Sequence, residues 1–149
     1  MPLSTRSFLC KLAIFAWVAF FAWASLIWYL SSMTPQDLQV MPSELLAFDK
    51  LVHATAFAAG GALLGLALRH TTRLRGGRLF AAIVVGIGLF GALDEIHQLY
   101  TPGRMGADLY DWLADMIGGS CAAFVYSYFY GKPDPARSPG PDTAAPQRD

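Results

Sequence analysis

Leu12 to Leu30 runs for 19 residues without a charge. At about 1.5 Å per helical residue that is enough to cross a hydrocarbon layer of roughly 30 Å. Three further apolar stretches follow, at about 51–68, 79–99 and 112–130. In lipid every backbone N–H and C=O must be satisfied within its own segment or in a closed barrel, so stretches of this length predict helices. The composition agrees: 54% of residues are hydrophobic and 15% charged, with a mean hydropathy of +0.38. A soluble domain of this size would lack the polar surface to cover itself.

The expectation is an all-α, four-span membrane bundle over 1–131, followed by a tail over 132–149. The tail holds five prolines and little apolar matter, a composition that predicts disorder. A signal peptide cleaved at Ala22-Trp23-Ala24 is the rival reading of the first stretch, and the length of the apolar run favours a retained span. Cys10 and Cys121 fall at different expected depths, so no disulfide framework is expected and Cys121 reads as a small buried hydrophobe.

Charge placement sets the topology. Arg6, Lys11, Arg69, Arg73, Arg75, Arg78, Lys132, Arg137 and Arg148 are nine of the 11 basic residues, and all lie on one expected side. By the positive-inside rule both termini are expected to be cytoplasmic, and the 31–50 and 100–111 loops to face outward. The 11 acids balance the bases, so no global positive field favours nucleic acid.

That topology gathers the ionisable groups at the outer face. Asp49, Lys50 and His53 open the second span. Asp94, Glu95, His97 and Gln98 close the third, and Arg104, Asp108, Asp111 and Asp115 lead into the fourth. Helical spacing puts Asp94, His97 and Gln98 on one side, with Glu95 rotated by about 100° toward Gly88 and Gly91. Asp108, Asp111 and Asp115 share a face if the fourth helix starts early. Gly61 and Gly65 form a small-xxx-small pair suited to close helix approach. Six acids against Lys50, Arg104 and two histidines cannot all be ionised and paired, so some are protonated, hydrated or bound to a divalent cation. No H-E-x-x-H, C-x-x-C or glycine-rich phosphate loop points to a particular cofactor.

Asp49-Lys50-x-x-His53, Asp94-Glu95-x-His97-Gln98, Pro102-Gly103-Arg104 and Asp111 followed by Asp115 together resemble the VanZ-like family of small bacterial membrane proteins, from about Trp28 to Phe129. Ala54 stands where that family usually has an aromatic residue, and Asp115 where it usually has Asn. The resemblance implies a four-span bundle and, for the founding member, lowered sensitivity to the glycopeptide teicoplanin.

The functional expectation is a site acting on, or binding, an envelope lipid or a lipid-linked anionic headgroup, with a lipid-linked envelope precursor or a lipoglycopeptide as partner. His97, His53, Glu95, Asp94 and Asp111 are its candidate catalytic residues. Lys50, Arg104, Gln98, Asp49, Asp108 and Asp115 are its candidate ligand-binding residues. The alternative is a non-catalytic protein whose polar cluster fixes helix packing or binds a partner. A proton-coupled permease ranks third, because no polar residue lies in the inner half of any span.

Overall fold

The computed structural model describes residues 3–38, 48–104 and 106–130, with the backbone alone at 3–6, 38 and 130. The expected tail and residues 39–47, with Pro42 and Glu44, lie outside the described residues. Among the described residues five helices follow one another: α1 (Leu3–Ser31), α2 (Pro35–Leu38), α3 (Asp49–Thr71), α4 (Gly76–Gln98) and α5 (Leu109–Tyr130). No strand occurs among the described residues.

The helices outrun the apolar stretches that specify them. Backbone hydrogen bonds stay favourable past the last apolar residue, and local side chains help: the Thr71 and Thr72 hydroxyls donate back to the Ala67 and Leu68 carbonyls at 2.8 and 2.7 Å. The Arg-rich 69–78 segment, expected as a loop, is therefore helical at both ends. Within the outer loop, Pro35 starts the short α2. Ahead of it the Thr34 hydroxyl and amide both donate to Asp37, at 2.7 and 2.9 Å, and hold that carboxyl below its usual range.

Ser7–Ser31, Asp49–Thr71 and Gly76–Gln98 are long and apolar enough to cross a membrane. The 22-residue α5 is as long, but Asp111, Asp115 and its tyrosines and serines make it less apolar. Burial runs opposite to that of a water-soluble domain. Phe15, Val18, Leu89, Ile117 and Phe124 are exposed on the outside, whereas Asp94, Glu95, Gln98 and Asp115 are buried. An apolar exterior of this extent matches a hydrocarbon environment. Cys121 lies on that exterior and is exposed, so the expectation of a buried Cys121 is corrected: the helix turns its small-residue face inward there and its cysteine out.

The helices alternate in direction. α5 sits in a seam between α3 and α4, while α1 packs mainly on α3. The α3–α5 approach is set by small residues: a Cβ built on Gly61 would stand 3.1 Å from the Ala122 Cβ and 3.2 Å from the Gly119 carbonyl oxygen. Phe57, Leu64, Leu79, Ile83, Ile87 and Ala123 fill the core. The Trp23 and Trp112 indole N–H groups donate across helices to the Ala56 and Gly88 carbonyls, each at 3.0 Å. These contacts place the end of α1, the start of α3, the end of α4 and the start of α5 at one end of the bundle.

Candidate functional site

At that end the α4–α5 connection folds back on the last turn of α4. The Asp108 amide donates to Glu95 Oε2 at 2.7 Å, and the Ala107 amide donates to the Glu95 carbonyl at 3.2 Å. The return needs left-handed backbone at Gly103 (φ 78°) and at Ala107 (φ 60°). Alanine is strained there by about 1–2 kcal/mol, and glycine gives back 0.5–1 kcal/mol in chain entropy. Ala107→Gly is thus expected to stabilise the protein by about 0.5–1 kcal/mol, read as a small rise in melting temperature of the detergent-solubilised protein.

Asp108 lies one residue before α5. Its Oδ1 accepts the Tyr110 amide at 2.8 Å and its carbonyl accepts the Trp112 amide at 3.1 Å. It caps the helix, which begins at Leu109, three residues ahead of the expected span, and its side chain meets Lys50 together with that of Asp111. The Tyr110 amide, with Lys50 nearby, lowers the pKa of Asp108. A depressed folded-state value means that this cap contributes fully above the ordinary carboxylate range and is lost as the pH falls through the lowered value.

Two side-chain clusters flank the end of α4. The first bridges α3 and α5. His53 Nδ1 lies 2.9 Å from Asp115 Oδ1, and its Nε2 lies 3.9 Å from Asp49 and 4.0 Å from Asp111. Lys50 pairs with Asp111 and also approaches Asp49 at 3.4 Å and Asp108 at 3.5 Å. Asp49, His53 and Asp111 each offer one donor atom, these atoms lie within 4.8 Å of one another, and among the described residues this group could hold a metal ion.

The second cluster joins α1 to α4. Asp94 Oδ2 accepts the Ser31 hydroxyl at 2.7 Å and the Gln98 amide at 3.0 Å, and Gln98 Oε1 accepts from Arg104 at 3.0 Å. One turn away the His97 ring stacks on Trp28, centroids 4.0 Å apart, with Nε2 2.9 Å from the Ser32 hydroxyl. Thr101 donates to the Ser31 carbonyl at 3.2 Å and pins the turn to the end of α1.

The candidate residues thus divide into two bonded groups. His53, Asp115, Asp111, Asp49, Lys50 and Asp108 stand together, whereas Asp94, His97, Gln98 and Arg104 form the other group, and Glu95 joins α4 to the α5 cap between them. The two histidines belong to separate clusters, as do the two cations. Nothing in the sequence pattern assigns a role to Ser31, Ser32 or Trp112.

Asp94, Glu95 and Asp115 are 1%, 4% and 0% exposed, yet Asp94 Oδ1, Glu95 Oε1 and Asp115 Oδ2 find no hydrogen-bond partner among the described residues. Buried carboxylate oxygens in that state call for a proton, a water or a cation. Asp115 Oδ2 lies 3.1 Å from where a Gly91 Cβ would be, so it points across the seam to α4, one turn below Asp94 and Glu95.

The family model of VanZ/LLP1 matches residues 6–130, a span that contains both clusters. The chain belongs to the VanZ/LLP1 family. No curated protein and no solved structure matches it. In this VanZ-family chain the motif residues that carried the resemblance divide between the clusters: Asp49, Lys50, His53, Asp111 and Asp115 at the α3–α5 seam, and Asp94, His97, Gln98 and Arg104 beside α1. Asp115, where the resemblance led to an amide, meets the His53 ring with a carboxylate.

A cavity of about 490 Å³ is lined by Tyr29, Ser32, Met33, Gln36 and Asp37. An adjoining groove of about 440 Å³ runs along α1 past Phe21, Trp28 and Phe90 to the same Ser32. The two are open depressions that share Tyr29 and Ser32, and the Ser32 hydroxyl lies 2.9 Å from His97 Nε2.

Proposed function

We propose that this VanZ-family protein spans a bacterial inner membrane four times, with α5 as its fourth span and both termini cytoplasmic. Its polar helix ends face outward and bind the anionic headgroup of an envelope lipid or lipid-linked precursor. The observation that supports this reading is the meeting point at Ser32, where an apolar groove along α1 joins an open depression lined by Gln36 and Asp37, and where the Ser32 hydroxyl contacts His97. A groove with one greasy and one polar end fits an amphiphile lying along the bundle. His97 supplies a proton donor or acceptor at the headgroup, and Arg104, held by Gln98 in the same cluster, supplies the nearby positive charge.

The test is binding of a polyprenyl phosphate and of phosphatidylglycerol to the purified protein in detergent, read by native mass spectrometry. His97→Ala and Phe90→Trp, which alters the groove wall without touching the polar cluster, are each expected to weaken binding by about tenfold or more, the loss of some 1.4 kcal/mol. Unchanged binding in both variants overturns the proposal. Teicoplanin susceptibility of cells expressing wild-type protein or His97→Ala separately tests a link to glycopeptide resistance.

A second reading, in which the polar groups fix helix packing, is favoured by Asp94 accepting from both Ser31 and Gln98. Under it, Asp94→Asn and Ser31→Ala lower abundance and melting temperature together with any binding. Under the lipid-binding reading, His97→Ala lowers binding alone.

A further inference from the structure

We propose that Asp49, His53 Nε2 and Asp111 form a divalent-cation site across the α3–α5 seam, in which Asp115 positions the imidazole and Lys50 competes with the ion. This goes beyond the lipid-binding reading and stands without it.

To coordinate an ion the three donors, which lie within 4.8 Å of one another, must draw closer and the Lys50 ammonium must leave Asp111 Oδ1. Metal–ligand bonds of about 2.0–2.2 Å place neighbouring donors roughly 3.0–3.6 Å apart. Nε2 is 3.9 Å from Asp49 Oδ1 and 4.0 Å from Asp111 Oδ1. The side chain of Asp49 is 53% exposed and free to rotate inward. One nitrogen and two carboxylates suit zinc or manganese and leave coordination positions open for water or an oxygen anion.

The buried side of the imidazole supplies the second observation. Asp115, 0% exposed, takes Nδ1 at 2.9 Å and leaves Oδ2 unpartnered among the described residues. A carboxylate behind the histidine fixes the tautomer, aims Nε2 outward and raises its basicity, the arrangement found behind metal-bound histidines. A cation on Nε2 also offsets the charge of a buried carboxylate that His53 alone leaves half satisfied.

Lys50 shows that the carboxylates already gather a positive charge: its ammonium contacts Asp49, Asp108 and Asp111. Its side chain is 49% exposed, so it can swing out when an ion enters. Removing that ammonium takes away a competitor and a like charge.

The experiment titrates Mn2+ into the purified full-length protein in detergent, without added lipid, and follows it by electron paramagnetic resonance. Wild type is expected to bind one ion with nitrogen hyperfine coupling. His53→Gln abolishes that coupling. Asp49→Asn, at an exposed position that leaves folding intact, weakens affinity about tenfold or more, as does Asp115→Asn through the imidazole. Lys50→Met tightens binding about tenfold, the scale of one like charge removed at a few ångströms near a protein surface. Absence of nitrogen coupling in wild type, or equal affinity in wild type, Asp49→Asn and Lys50→Met, overturns the proposal. Ion binding without lipid binding sinks only the lipid reading, and lipid binding without ion binding sinks only this one.

Discussion

His53→Ala is expected to destabilise the folded protein by about 3–5 kcal/mol, the usual effect of removing one partner of a buried ionic pair. Asp115 is 0% exposed, and His53 Nδ1 is its hydrogen-bond partner at 2.9 Å. Truncation leaves a carboxylate with both oxygens unsatisfied among apolar and small side chains. Thermal unfolding in detergent, followed by the loss of the monodisperse peak in size exclusion, measures the effect. The companion variant carries His53→Leu and Asp115→Leu together. Replacing both members of a buried pair by apolar groups of similar volume is commonly neutral or stabilising. The double variant should therefore recover most of the lost stability while remaining unable to bind an ion. Recovery of stability without ion binding separates the two duties of His53. A double variant as unstable as the single one would show that the pair is not the source of the loss.

The helical class, three of the spans and the gathering of polar groups at one end were legible because each rests on local physics. Nineteen uncharged residues from Leu12 to Leu30 can only be a span or a leader, and the i, i+3, i+4 rule placed Asp94 and Gln98 on a common side. The structure joins those two at 3.0 Å. The 100° offset of Glu95 was legible for the same reason. Its consequence was not. That offset sends Asp94 toward α1 and leaves Glu95 to the α5 cap, which divides the candidate residues into two groups. Which neighbour each face meets depends on the packing order of the helices, and no periodicity within one helix records that order.

Ser31 and Ser32 escaped notice because serine after an apolar run looks like any loop opening. Only the fold brings Ser31 within 2.7 Å of a residue 63 positions away. The position of Asp108 stayed open for a related reason. An acid preceding an apolar run is equally consistent with the first turn of a helix and with its cap, and the choice was made by the return of the chain onto Glu95. The glycines were the better guide, since a residue without a Cβ in a span marks where another backbone comes close.

Gly118→Val is expected to be the most damaging small substitution in the bundle, destabilising by about 3 kcal/mol or more, at or above the top of the usual range for overpacked cores. The atom that a Cβ on Gly118 meets first is the Ala54 carbonyl oxygen, with the Ala54 carbonyl carbon 2.7 Å away. Both belong to backbone, so no rotamer change relieves the overlap and the helices must separate. Gly77→Ala is the control, since a Cβ there meets nothing within 4 Å. That change should be neutral or stabilising by up to about 1 kcal/mol through helix propensity. Ala54 is the neighbour of His53, and Gly118 is one turn beyond Asp115, so α3–α5 separation acts directly on the His53–Asp115 bond. The milder Gly118→Ala should therefore weaken manganese binding more than its effect on melting temperature alone accounts for. Equal melting of Gly118→Val and wild type would mean that α3 and α5 do not meet at this seam, and the ion site built across it would fall with the seam.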